Sequence, residues 1–126
     1  MRAGRALRRI IMNRIIDEVP GLDGKVYDRA AEDTAYPYVT LGPSFWVDDS
    51  AECIQARSQT VQVDVWHSGA AKGALEDLVD DVSAALDGWA VDELTMHPLR
   101  VTLARIMDDP SGALHGVVQV EAMVEG

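Results

Sequence analysis

The sequence is short of the residues that usually announce a chemistry. One cysteine, Cys53, stands among 126 residues, so there is no internal disulfide framework and no cysteine-based zinc cage, as fits a reducing compartment. Basic residues are scarce as well: 11 Lys and Arg face 21 Asp and Glu, a net charge of −10. Arg2, Arg5, Arg8, Arg9 and Arg14 all lie in the first 14 positions, which leaves six basic residues against all 21 acids, or −15, for the rest of the chain. Affinity for phosphate comes mainly from Lys and Arg releasing counterions, and such a body repels a polyanion. A simple nucleic-acid-binding domain is therefore disfavoured, and only the amino-terminal segment suits one.

Long apolar runs are also missing. Nowhere do about 18 apolar residues stand together, so no apolar run supplies a spanning helix, and no membrane partner is expected. After Arg8 and Arg9 only Ile10-Ile11-Met12 intervene before Asn13-Arg14, too short an apolar stretch for an export signal. The protein is expected to stay in the cytoplasm where it is made. Met12 is an alternative start that would remove four of the five early arginines.

What is present describes one folded unit. Apolar residues make up 48% and mean hydropathy is −0.03, which excludes a disordered chain and leaves enough apolar side chain for a core in a single domain over residues 1–126. Leu7, Ile10, Ile11 and Ile15 recur at helical spacing, so residues 1–18 carry a basic amphipathic helix, closed by Pro20-Gly21. Short strands are expected at Lys25–Asp28 and, after Pro37, at Tyr38–Gly42. Residues 43–57, with Phe45, Trp46, Asp48, Asp49 and Glu52, read as a long loop, and loops of that length in compact domains are usually functional or mobile.

The rest of the pattern is clearer. Gln59–His67 alternates, with Val61, Val63 and Val65 on one face and Thr60, Gln62, Asp64 and Trp66 on the other. Residues 70–87 set Leu75, Leu78, Val79, Val82, Ala85 and Leu86 on one helical stripe and Glu76, Asp77, Asp80 and Asp81 on the opposite one. That acidic run reads as a solvated face, because no histidine accompanies Asp80-Asp81 at helical spacing. Leu99, Val101 and Leu103, then Val118, Val120, Ala122 and Val124, make two more strands joined through Asp108-Asp109-Pro110-Ser111-Gly112 as an antiparallel hairpin. The expected fold is α+β, a mostly antiparallel sheet of about five strands with two main helices packed on it, in the order α-β-β-β-α-β-β.

Catalytic candidates are thin. His67, His97 and His115 show no metal-ligand spacing, and on an extended strand the Asp64 and His67 side chains point to opposite faces. Phosphate-binding glycine loops and nucleophile elbows are absent from the sequence. No catalytic, cofactor-binding or metal residues are assigned and no cofactor is expected. The competing reading is a small metal-dependent enzyme or ligand-binding α+β domain built on the three histidines and nearby acids.

Three segments carry a resemblance: Tyr36-Pro37-Tyr38-Val39-Thr40-Leu41-Gly42; Val61-Gln62-Val63-Asp64-Val65-Trp66 leading into an Ala-rich amphipathic helix; and Leu114-His115-Gly116-Val117-Val118 opening the last strand. In this order and at this chain length they resemble the tail-completion, or tail-terminator, proteins of long-tailed bacteriophages and gene transfer agents. The resemblance implies a structural protein of the virion neck, assembled in the bacterial cytoplasm. Such proteins form a ring, usually of six copies, on the last ring of the major tail tube protein, stop its polymerisation and present a surface to the head-side connector or stopper. DNA would pass through the lumen without specific binding. It implies no catalytic residues; Pro37, Tyr38 and Gly42 match fold-determining positions, and Asp64 and Trp66 a sheet surface facing the second helix or a neighbour.

Interface candidates follow from residue type. Phe45 and Trp46 come first, because aromatic anchors dominate interface energy; Asp109, at the hairpin tip, comes second. For Trp66 core packing competes with a contact role. The charge map suggests that Arg5, Arg8 and Arg9 on the first helix of one subunit meet Asp77, Asp80 and Asp81 on the second helix of the next.

Overall fold

The structure, a computed structural model, describes residues 1–126. Two helices, α1 (Gly4–Glu18) and α2 (Lys72–Leu86), cover one face of a six-stranded, mostly antiparallel sheet. The strands are β1 (Val26–Tyr27), β2 (Tyr38–Asp48), β3 (Ala56–His67), β4 (Thr95–Met96), β5 (Arg100–Asp108) and β6 (Leu114–Glu125). The expected α+β order holds; the additional strand is β4, two residues paired to Val124 and Glu125 and too short to show a period.

Long strands β2, β3, β6 and β5 lie side by side in that order, each antiparallel to the next. The two-residue β1 adds in parallel to Val39 and Thr40, the one parallel pairing of the sheet. Pairing of β3 with β6 is unbroken from Ala56 opposite Glu125 to His67 opposite Leu114. Both are therefore interior strands, while β2 and β5 form the edges wherever β1 and β4 do not reach.

The core lies between the helices and one sheet face. Leu7, Ile11 and Ile15 of α1 and Leu75, Val82 and Leu86 of α2 are fully buried against Val39, Val63, Val65 and Val118. A Cβ on Gly116 would sit 2.5 Å from Val79 Cγ2, so the absence of a side chain there lets α2 seat on β6. α1 flanks the β1–β2 side and α2 lies over β6 and β5. Between them, the Arg14 side chain donates to the Ala85 carbonyl at 2.8 Å and lies 3.9 Å from the centre of the Trp89 ring. No helix covers the opposite sheet face.

Residues 43–57 depart from the sequence reading. β2 continues to Asp48 and β3 begins at Ala56, so the expected loop is a β-hairpin with only 49–55 as its connection. A register irregularity between Leu41 and Ser44 carries the strand past Gly42-Pro43, beyond which Phe45, Trp46 and Val47 pair with Thr60, Gln59 and Ser58. These residues are exposed on both faces, so no alternation of apolar and polar residues marks them as a strand.

Candidate assembly surface

The β2–β3 hairpin reaches beyond the part of the sheet that the helices cover. Phe45, Trp46 and Val47 are 56%, 55% and 58% exposed, three consecutive apolar side chains on an edge strand. Trp46 lies on the helix side, its ring 4.9 Å from the Arg57 guanidinium, which is otherwise buried without an acidic partner. Phe45 and Val47 lie on the open side.

The hairpin tip is acidic and tightly organised. The Ser50 hydroxyl and N–H donate to Asp48 Oδ1 at 2.7 and 3.2 Å, and the Ala56 N–H donates to the Ser50 hydroxyl at 3.0 Å. These bonds favour the ionised carboxylate and hold the Asp48 carboxyl below its usual range. Asp49 and Glu52 add charge, and Cys53 is exposed there with φ of 68°.

The β5–β6 hairpin tip lies at the other end of the sheet, beside His67 and Leu114. There Asp109 accepts from the Ser111 N–H at 3.0 Å, and its carboxyl is likewise held below the usual range by bonds from Ser111. Gly112 follows at φ of 91°.

The open sheet face carries a polar and aromatic cluster. Asp64 Oδ1 lies 2.6 Å from a His115 ring nitrogen and accepts from the Gln62 amide at 2.8 Å. The Trp66 indole N–H donates to Thr40 Oγ1 at 3.0 Å, and its ring stacks on His115 with centroids 4.0 Å apart. Tyr38 and Tyr36 extend the stack along the strand ends. A Cβ on Gly42 would collide with the Asp64 carboxylate, which explains glycine at that position. Of the two expected placements for Asp64 and Trp66, the second helix is excluded: both side chains face away from it, and Trp66 is half-buried rather than in the core.

Three of the four arginines of α1 are already paired. Arg8 pairs with Asp28, Arg9 with Glu93 at 2.9 Å and Arg14 with Glu18 at 2.9 Å, all within one subunit. Arg2 and Arg5 form no ion pair, and Asp77, Asp80 and Asp81 are exposed and equally unpaired. Their two helices are neighbours in the same chain. The histidines are divided between the ends of the sheet: His67 and His115 lie near the β5–β6 tip, while the His97 N–H bonds to Met123 near the other end. No three His, Cys, Asp or Glu side chains converge as metal ligands.

The family model described as tail completion protein gp17 matches residues 5–125. Eleven chains of solved structures match, among them a chain from the virion of a native gene transfer agent particle. It is 20% identical, covers 92% of each chain and superposes with a TM-score of 0.80. No curated protein sequence matches.

Proposed function

Because the chain belongs to the family of tail completion protein gp17, we propose that it is a structural protein of a virion neck: it forms a ring on the end of a tail tube, stops tube polymerisation and joins the tail to the head-side connector. The observation that carries this reading is the family match across the whole fold, from the first turn of α1 to the last residue of β6. The likeness of fold to a chain of a gene transfer agent virion is in keeping with a place in a virion.

Several features suit the role. A cyclic ring needs two different, complementary patches on each copy, and the sheet offers two unlike edges. It also needs two different faces, one for the tube and one for the connector. The β2–β3 and β5–β6 tips lie at opposite ends of the strands, so a ring with its strands inclined to the ring plane presents one set of tips on each face. The neck position is reached by assembly of copies in the bacterial cytoplasm, six to a ring in the family pattern, and the net negative charge of each copy keeps the lumen from holding DNA.

The test is deletion of the gene followed by electron microscopy of the particles. Overlong tubes and unjoined heads are expected. Tails of normal length joined to heads would overturn the proposal.

A further inference from the structure

The two long edges of the sheet are built differently, and each leaves backbone groups without a partner. On β2, the Asp49 N–H bonds inward to the Ala56 carbonyl. In an antiparallel ladder this direction alternates, so Val47 and Phe45 also point inward while Asp48, Trp46 and Ser44 direct their N–H and C=O groups to the free edge. On β5, the Asp109 N–H bonds inward to the Ala113 carbonyl, which by the same alternation leaves Asp108, Ile106 and Ala104 directed outward. Both edges carry exposed apolar side chains: Phe45, Trp46 and Val47 on one, Leu103 (44% exposed) on the other.

Both edges have charged helix residues beside them. Arg5 and Arg8 line a cleft with Leu41, Gly42 and Ser44, on the β2 side. Glu76 and Asp80, interspersed with Lys72 and Arg105, line a cleft with Ala104 and Ile106, on the β5 side. Strand direction agrees too. The antiparallel order β2, β3, β6, β5 sets β2 and β5 running oppositely, so a second copy in the same orientation brings its β5 antiparallel to β2. The free part of β2 pairs with the Arg57–Val63 half of β3, whereas β5 spans β6 from Leu114 to Glu121, toward the other end. The edges are thus staggered along the strands, as a tilted sheet closing on itself requires.

Resting on the ring reading above, we propose that each copy adds its β2 edge, Ser44–Asp48, to the β5 edge of the next copy, with the unpaired Arg5 meeting Glu76 and Asp80 of that copy's α2. The occupant of the apolar edge is a second copy of this chain because the opposite edge supplies a free strand running in the required direction, with the carboxylates of Glu76 and Asp80 beside it for the unpaired Arg5. Backbone pairing gives the contact its affinity, and the flanking charges give it order and direction.

The test uses the full chain and native mass spectrometry. Wild type is expected to associate at low salt. Trp46→Pro and Ala104→Pro each remove one outward N–H without breaking an internal ladder bond, and each is expected to remain monomeric with an unchanged circular dichroism spectrum. Mixed in equal amounts they retain one sound edge apiece, so dimers and nothing larger should form. Charge exchange provides a second arm should a proline variant not fold: Arg5→Glu weakens association at least tenfold, and combination with Glu76→Arg and Asp80→Arg restores it. Multimers that persist in both proline variants, a charge exchange without rescue, association with tail tube protein but not with a second copy, or a wild type monomeric up to millimolar concentration would each overturn edge addition. The neck role itself is decided separately by tail length in the deletion particles.

Discussion

Replacing Phe45 by threonine separates a contact residue from a core residue. Phe45 lies on the open face of β2 and is 56% exposed, so of the roughly 150–250 Å² that an aromatic side chain can bury, about 100 Å² is still in water. Covering that area at about 25 cal/mol/Å² is worth about 2.5 kcal/mol, or roughly 70-fold in a dissociation constant. Threonine keeps the β preference of the strand and the ladder bonds to Thr60. The isolated fold should change by no more than about 0.5 kcal/mol, as expected for an exposed position. Sedimentation measures association and urea unfolding measures the fold. The expected result is a large loss of association with an unmoved unfolding midpoint. A variant that associates like wild type, or one that loses stability as a core truncation does, would refute the reasoning.

Other outcomes follow from particular contacts. Gly116→Ala places a Cβ 2.5 Å from Val79 Cγ2 under α2 and should destabilise the fold by about 1–3 kcal/mol, read as a lower urea midpoint. Asp48 and Asp109 titrate lower in the folded chain than unfolded, so their support of the two hairpin tips is present above the ordinary carboxylate value of about 4 and is lost as pH falls through the lowered folded values. Carboxyl chemical shifts followed by NMR should show both groups titrating below that value; midpoints at or above it would contradict the hydrogen-bond assignment. At about 0.15 M salt the protein should not retard DNA in a mobility-shift assay; a retarded band would show that the early arginines outweigh the acidic body.

The helices were the most legible part of the fold, because the apolar stripe Leu75 to Leu86 has one consistent period and one buried face. Strand β3 was legible for the same reason, through Val61, Val63 and Val65. The second half of β2 was not: Pro43 and the Asp48-Asp49 pair look like loop residues, and a strand segment exposed on both faces has no alternation to display. Pairing fixes that segment, and pairing is a property of two distant stretches. The Asp64–His115 contact was hidden likewise, since 51 positions separate the partners and only the register of β3 against β6 brings them together.

The candidate surface was legible in residue type and not in arrangement. Phe45 and Trp46 stood out as aromatic side chains in a polar stretch, and the structure exposes both. The sign of each helix was also plain, yet Arg8 and Arg9 are held by Asp28 and Glu93 of the same subunit, partners that lie far from them in sequence. Which acids flank the β5 edge depends on the seating of α2 over β6. That places Glu76 and Asp80 beside Arg105 and Ile106, and turns Asp81 toward Arg14 and Pro20.

Cryo-electron microscopy of the neck of purified particles tests the central claim most directly. The expected result is a closed ring of this chain between the last tube ring and the head-side connector, with the β2–β3 tips on one face and the β5–β6 tips on the other. A neck without this chain, or the chain bound there as isolated copies with no ring, would contradict it.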